Sequence, residues 1–132
     1  MAIAKDILGS VFSNGSAVLL ARVVDSQGLP VTQASVASVE YSIFALEVDD
    51  PLTLTAVVGH EAVTLDIADV IFDTLQNDAA WTLDEVGYNF RHEVDVTTNE
   101  AFPQVGRVYQ IRYEMLPLSG QKIVFRFQVR CI

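Results

Sequence analysis

The sequence predicts an all-β fold of two packed antiparallel sheets. Three observations carry that expectation. Residues 108–115 and 123–131 alternate apolar and polar side chains on either side of a turn, the mark of a β-hairpin. Residues 36–46 and 88–96 alternate in the same way. One uninterrupted stretch, about residues 67–76, has helical spacing instead.

Taken in order, residues 1–16 read as an N-terminal arm. Ala4 to Phe12 has some helical spacing, but Gly9 and the run Ser13-Asn14-Gly15-Ser16 break it. The arm is either a frayed terminus or a segment that orders against a neighbour. Ala17 to Val24 is a nearly continuous apolar strand interrupted by Arg22, followed by the turn cluster Asp25 to Pro30. Val36 to Leu46 turns Val39, Tyr41 and Ile43 inward and Ser38, Glu40 and Ser42 outward. Glu47 to Leu52 is an acidic loop, and two short strands follow near Leu54 to Val58 and Ala62 to Asp66.

Ile67, Val70, Ile71 and Leu75 then sit at i, i+3, i+4 and i+8, one side of a helix of two to three turns that Asp66 can cap. Thr82 to Glu85 has capping-box spacing, with room for one turn before Gly87. From Tyr88 to Val96, Tyr88, Phe90, His92, Val94 and Val96 share a face opposite Asn89, Arg91, Glu93 and Asp95. In the closing hairpin, Tyr109, Ile111, Tyr113 and Met115 face inward with Ile123, Phe125, Phe127, Val129 and Cys131. Arg112 lies on the opposite face with Lys122, Arg126 and Arg130. About seven strands with one helix in a single domain over residues 17–132 describe an immunoglobulin-like antiparallel β-sandwich, with a closed barrel as the alternative.

Composition narrows the class. With 132 residues, 51% of them hydrophobic, the chain can bury a core of its own. The apolar runs are too short to span a bilayer. The N-terminus lacks a basic n-region and Lys5-Asp6 interrupts its apolar residues, so no secretory signal is expected. A single cysteine, in phase with Phe127 and Val129, is expected to be a buried thiol in a reducing cytosol.

The net charge of -9 is unevenly spread. Residues 1–106 hold sixteen carboxylates against Lys5, Arg22 and Arg91, a net of -13. Residues 107–132 hold Arg107, Arg112, Lys122, Arg126 and Arg130 against Glu114 alone, a net of +4. One basic hairpin on an acidic body suits head-to-tail association or docking on an acidic protein. The plainer reading is that cross-strand carboxylates neutralise these cations. An acidic chain is a poor partner for nucleic acid.

Reactive chemistry is hard to find. Two separated histidines, His60 in a turn and His92 on an inward face, with one cysteine make no zinc site. Asp66, Asp69 and Asp73 would share a helix side, but the alternating ligands of a calcium loop are missing. There is no nucleophile elbow and no phosphate loop. No enzyme activity, cofactor or metal is expected. Trp81, the single tryptophan, is read as a plug at one end of the sandwich, against the alternative of a sugar-stacking platform.

Two stretches carry a resemblance. Gly15 to Ile43, with its strand, the turn Asp25-Ser26-Gln27-Gly28-Leu29-Pro30-Val31 and its second strand, resembles the opening of small immunoglobulin-like domains in tailed-phage virion proteins. The N-terminal domain of baseplate upper proteins is one case. Phe102 to Tyr109 is similar to the Pro/Gly-x-x-Tyr lead-in to a late strand, where the tyrosine closes the corner onto backbone. The run from Val70 to Gln76 through Gly87 to His92 also looks like that of uncharacterised phage-type and environmental bacterial proteins.

The resemblance implies a non-enzymatic virion part, made in the host cytoplasm and not secreted. The expected role is a capsid decoration (cement) protein that binds the major capsid shell and copies of itself. A tail, neck or baseplate adaptor is the alternative. A carbohydrate- or peptide-binding module is the alternative of another class. Arg112, Lys122, Arg126 and Arg130 are the expected interface residues, with no nucleic acid and no membrane as partner.

Overall fold

The computed structural model describes residues 7–47, 49–50 and 52–132. Nine strands and one short helix are seen among them: β1 (Ile7–Val11), β2 (Val18–Ala21), β3 (Val36–Leu46), β4 (Leu54–Ala56), β5 (Val63–Leu65), α1 (Ile67–Val70), β6 (Ile71–Gln76), β7 (Tyr88–Glu93), β8 (Val108–Pro117) and β9 (Ile123–Cys131). They form an all-β sandwich. The larger sheet runs β1-β9-β8-β3-β4, with β5 also on β3, and the smaller runs β2-β7-β6. Strands β9-β8-β3 facing β2-β7-β6 follow the strand order of an immunoglobulin-like sandwich.

The closing hairpin is where its alternation places it. Tyr109, Ile111, Tyr113 and Met115 are buried, as are Phe127, Val129 and Cys131. Each inward β8 residue faces an inward β9 residue, Tyr113 opposite Phe125 and Ile111 opposite Phe127. The Tyr113 and Phe125 rings stack 5.1 Å apart, and Phe90 from the smaller sheet meets Tyr113 edge-on at 4.8 Å. These rings join the two layers, and removing one such ring costs about 3–5 kcal/mol. Tyr109 closes the corner, its hydroxyl accepting from Gln104 N at 3.1 Å.

Four expectations need correction. The helix expected over 67–76 stops at Val70, and residues 71–76 form β6. Asp66 does cap it, accepting from Ala68 N at 3.2 Å. Ile71 is already extended, at φ -111° and ψ 129°, and pairs with Phe90 of β7. The β-branched pair Val70-Ile71 is buried here, and pairing with β7 decides the outcome over a short helical period.

The strand count among the described residues is nine rather than about seven, because β1 and β6 add to it. Ile7–Val11, within the stretch read as an arm, pairs with β9 from Ile7↔Phe127 to Val11↔Cys131. That pairing is parallel, so the sheets are not wholly antiparallel.

Thr82–Glu85 makes no helical turn. Asp84 Oδ1 accepts instead from Trp81 Nε1, Val86 N and Gly87 N, at 2.8, 3.0 and 3.1 Å, and Oδ2 accepts from Arg22. These donors hold the Asp84 carboxyl well below the usual carboxylate range, with Trp81 the largest contributor. Trp81 is buried as a plug against Tyr88. Gly87 ends the loop at φ +105°, where a Cβ would lie 2.4 Å from Gln76 O.

Asn89, expected on the outer face, is buried. Its Oδ1 accepts from Val23 N at 2.7 Å, and its Nδ2 donates to Val23 O and Val31 O. The 23–31 turn folds over this part of β7, and the amide satisfies Val23 N and Val31 O and gives a second donor to Val23 O, which also accepts from Val31 N at 3.1 Å.

Candidate interaction surface

The outer face of the larger sheet follows from strand register. Side chains that point away from the core line up across β1, β9, β8 and β3 in rows. One row is Ser10, Arg130, Val108. The next is Leu8, Gln128, Gln110, Phe44, and the third is Arg126, Arg112, Ser42. Beyond these lie Val124, Glu114 and Glu40. The smaller sheet packs on the other side, and among the described residues no layer covers this one.

The four expected interface residues all point to this side, but they do not form one even cluster. Arg112 and Arg126 are directly opposite across β8 and β9. Arg130 lies two rows along β9 and is exposed. Lys122 sits at the far end, 4.0 Å from Glu114. Arg112 lies over the Phe44 ring at 5.0 Å and donates to Gln110 Oε1 at 3.0 Å. Its arm covers Gln110, which is buried although it points to the outer side. The expectation that cross-strand carboxylates neutralise the basic residues holds for Lys122 and for Arg107, whose guanidinium meets Glu47 at 3.1 Å. Arg112 has neutral partners instead.

The apolar part of this surface was not singled out from the sequence. Leu8 is 77% exposed, Phe12 73% and Ile132 51%. Leu8 and Phe12 continue the outward phase of β1, and Ile132 that of β9. Val124 is also exposed. Leu8-Gly9-Ser10-Val11-Phe12 shows no clean alternation, so this margin follows only from the pairing of β1 with β9. Exposed aliphatic and aromatic side chains around arginines are the composition of an interface core. At one end, Glu40 and Glu114 face each other across β3 and β8. A hydrogen bond between the two carboxyls raises the Glu40 pKa, with smaller contributions from burial and the Glu114 charge.

The histidines have structural partners. His60 closes the turn over 57–60, its N donating to Val57 O at 3.0 Å, and its side chain is buried. Its Nε2 donates to Asn99 O at 2.9 Å, and in that tautomer Nδ1 accepts from Tyr41 Oη at 2.8 Å. His92 is buried with Nδ1 2.7 Å from Tyr113 Oη. Burial lowers its pKa to about 4, so the ring is neutral at physiological pH. Burial also pushes Tyr113 well above the ordinary phenol range.

Among the described residues, no group of three or more His, Cys, Asp or Glu could hold a metal ion. Asp66, Asp69 and Asp73 do not share a helix side, because Asp73 lies in β6 and accepts from Gln33 N at 2.8 Å. None of the described helices is long and apolar enough to cross a membrane. A groove of about 400 Å³ runs beside Trp81, between Leu20, Val24 and Leu83 on one side and Ile123 and Phe125 on the other. It holds no convergent set of catalytic groups. No known protein family, curated protein or solved structure matches the chain.

Proposed function

We propose that the chain is a non-enzymatic structural protein that docks on acidic protein surfaces through the outer face of its larger sheet. On the resemblance in its sequence, the role is that of a tailed-phage capsid decoration protein bound to the shell and to neighbouring copies. A tail, neck or baseplate adaptor is the runner-up. The observation that carries the docking reading is the uncovered face on which exposed Arg130 stands among exposed Leu8, Phe12 and Ile132. Arginine among exposed aliphatic and aromatic side chains suits a surface that meets the carboxylates of a partner.

Arg126→Glu combined with Arg130→Glu should abolish docking while leaving thermal unfolding nearly unchanged, since both are surface substitutions. Gold-labelled antibody against the chain, applied to virus particles from its source and viewed in negative stain, separates head from tail. A chain found on neither, or a double variant that docks as well as the wild type, overturns the proposal.

The carbohydrate- or peptide-binding alternative would use the groove beside Trp81. With Trp81 only 9% exposed, its ring offers no open face for a sugar. Titration with glycans should therefore leave Trp81 fluorescence unmoved.

A further inference from the structure

The sandwich is open along one side, where β1 ends the larger sheet and β2 ends the smaller. The other end strands are guarded. β4 has three residues. β6 is held by Gln33, whose N donates to Asp73 Oδ1 at 2.8 Å and whose Nε2 donates to Ile71 O at 2.9 Å. On the open side β2 has four residues, and the 80–83 loop lines the groove beside it. β1 carries none of the usual protections of an edge, which are charge, proline and a bulge. Residues 7–21 hold no charged side chain and no proline, and the register of β1 on β9 is unbroken. Leu8, Gly9 and Ser10 are all exposed. Among the described residues, β9 is the only strand beside β1.

The direction of the unpaired backbone groups follows from the ladder. Val11 O accepts from Ile132 N, and Ser13 N donates to Ile132 O. Odd-numbered residues of β1 therefore turn their N–H and C=O to β9, and Leu8, Ser10 and Phe12 turn theirs to the open side.

We propose that β1 pairs antiparallel with β1 of a second copy, about a twofold axis at Ser10. In that register Ser10 faces Ser10 of the second copy, and Leu8 of each copy faces Phe12 of the other. The two Ser10 residues exchange a pair of N–H to O bonds. Each Phe12 N donates to a Leu8 O, while Phe12 O keeps its own donor, Gly15 N at 2.9 Å. Leu8 and Phe12, 77% and 73% exposed, become cross-strand apolar pairs. On the inner side Gly9 faces Val11, so no two bulky side chains compete for the groove below. Centring on Gly9 instead would set Leu8 against Ser10 and lose the apolar pairs.

Charge permits this contact. The nearest arginines are the two Arg130 side chains, each beside its own Ser10 on β9. They stand three strand spacings or about 14 Å apart, beyond the screening length of about 8 Å at physiological salt. Size makes the contact a weak one. The open side is about 17 Å long and ~20 Å deep, a projected area of roughly 350 Å² per copy. Side-chain relief brings the total over both copies near the ~1,000 Å² that a specific interface must clear. The outer faces of the two larger sheets then lie side by side and uncovered, so the inference adds to the docking reading without resting on it.

Sedimentation equilibrium from about 5 to about 500 µM should show the mass rising to twice the monomer. It should stop there, because a twofold contact closes on itself. The copies repel through a net charge of -9 each, so about 1 M salt should hold or tighten the dimer. Ser10→Lys sets two ammonium groups opposite each other at the axis. Ser10→Pro removes an N–H that only the second copy uses. Each should move the dimer midpoint at least about tenfold to higher concentration. Ser10→Cys should give a disulfide-linked dimer on mild oxidation, since the Cα atoms of such a pair are about 5.5 Å apart, and Cys131 is buried. Leu8→Cys should cross-link in a mixture with Phe12→Cys and not by itself.

A wild type that stays monomeric at every concentration overturns the inference. So does assembly that grows past two copies or dissolves in salt. Where Ser10→Pro fails to fold, Ser10→Lys at an exposed position carries the test, and an unmoved midpoint overturns the pairing. A Ser10→Cys protein that dimerises but stays reduced overturns it as well.

Discussion

His92 should make the fold sensitive to mild acid. It is buried beside Tyr41, His60 and Tyr113, with ring centroids 4.8 Å from Tyr41 and 5.6 Å from Tyr113. Burial, helped by the nearby His60, lowers its pKa from 6.5 to about 4. The neutral ring is therefore favoured in the folded chain, and the unfolded chain takes up the proton first. The stability is fully present above the unfolded value and is lost as pH falls towards the folded one. The whole shift corresponds to about 3 kcal/mol at ~1.4 kcal/mol per unit. Near pH 5 about 2 kcal/mol of it should already be gone.

Urea unfolding followed by Trp81 fluorescence reads this directly. With a slope of about 1.5 kcal/mol per molar urea, the midpoint should drop by more than ~1 M between about pH 7 and pH 5. His92→Gln supplies the control, since the amide can still pair with the Tyr113 hydroxyl but cannot titrate. Other groups titrate equally in both proteins, so the difference between their pH dependences is the share due to His92. Equal losses in wild type and variant over that interval would refute the reasoning.

Asn89→Ala should cost about 2–4 kcal/mol in urea unfolding, because Val23 N and Val31 O lose their partner in a buried site while Val23 O keeps only Val31 N. An effect under about 0.5 kcal/mol would mean that water replaces the amide there. Tyr109→Phe should cost about 1 kcal/mol, by removing the corner bond to Gln104 N and little else; a neutral result would show that the corner holds by packing alone. Asp84→Ala removes the acceptor of Trp81 Nε1, Val86 N and Gly87 N. Its tryptophan emission should shift to the red as the loop opens, and an unmoved spectrum would show that packing against Tyr88 is enough.

The parts of the fold that could be read from sequence are those where one face of a strand meets the core and the other meets water. β3, β7, β8 and β9 obey that rule over many residues, so their inward residues could be named in advance. β6 could not, because Ile67, Val70, Ile71 and Leu75 satisfy a helical stripe and a short turn plus strand equally well. The pairing of Ile71 with Phe90 and of Gln76 with Tyr88 separates the two. β1 was missed for a related reason. Gly9 and the Ser13–Ser16 turn weaken the local signal, and the partner of β1 lies about 120 residues away. The burial of Asn89 was invisible because a polar residue in an outward phase gives no hint that a distant turn will cover it.

The surface was half legible. Charge layout marked Arg112, Lys122, Arg126 and Arg130, and the hairpin alternation placed them on one side. That Arg112 and Arg126 face each other needed the cross-strand register, and the apolar margin of Leu8, Phe12 and Ile132 needed β1 in the sheet. Lys122, paired with Glu114, belongs to the edge of that surface rather than to its centre.

The chain has two lysines, Lys5 and Lys122, and Lys122 lies on the proposed docking face. Zero-length carbodiimide cross-linking of assembled or particle-bound protein, read by mass spectrometry, therefore tests the central claim most directly. Docking through the outer face predicts intermolecular links from Lys122 to carboxylates of the partner, lost in high salt, beside an internal link to Glu114. Intermolecular links confined to Lys5 or the terminal amine, with Lys122 joined only to its own Glu114, would contradict it.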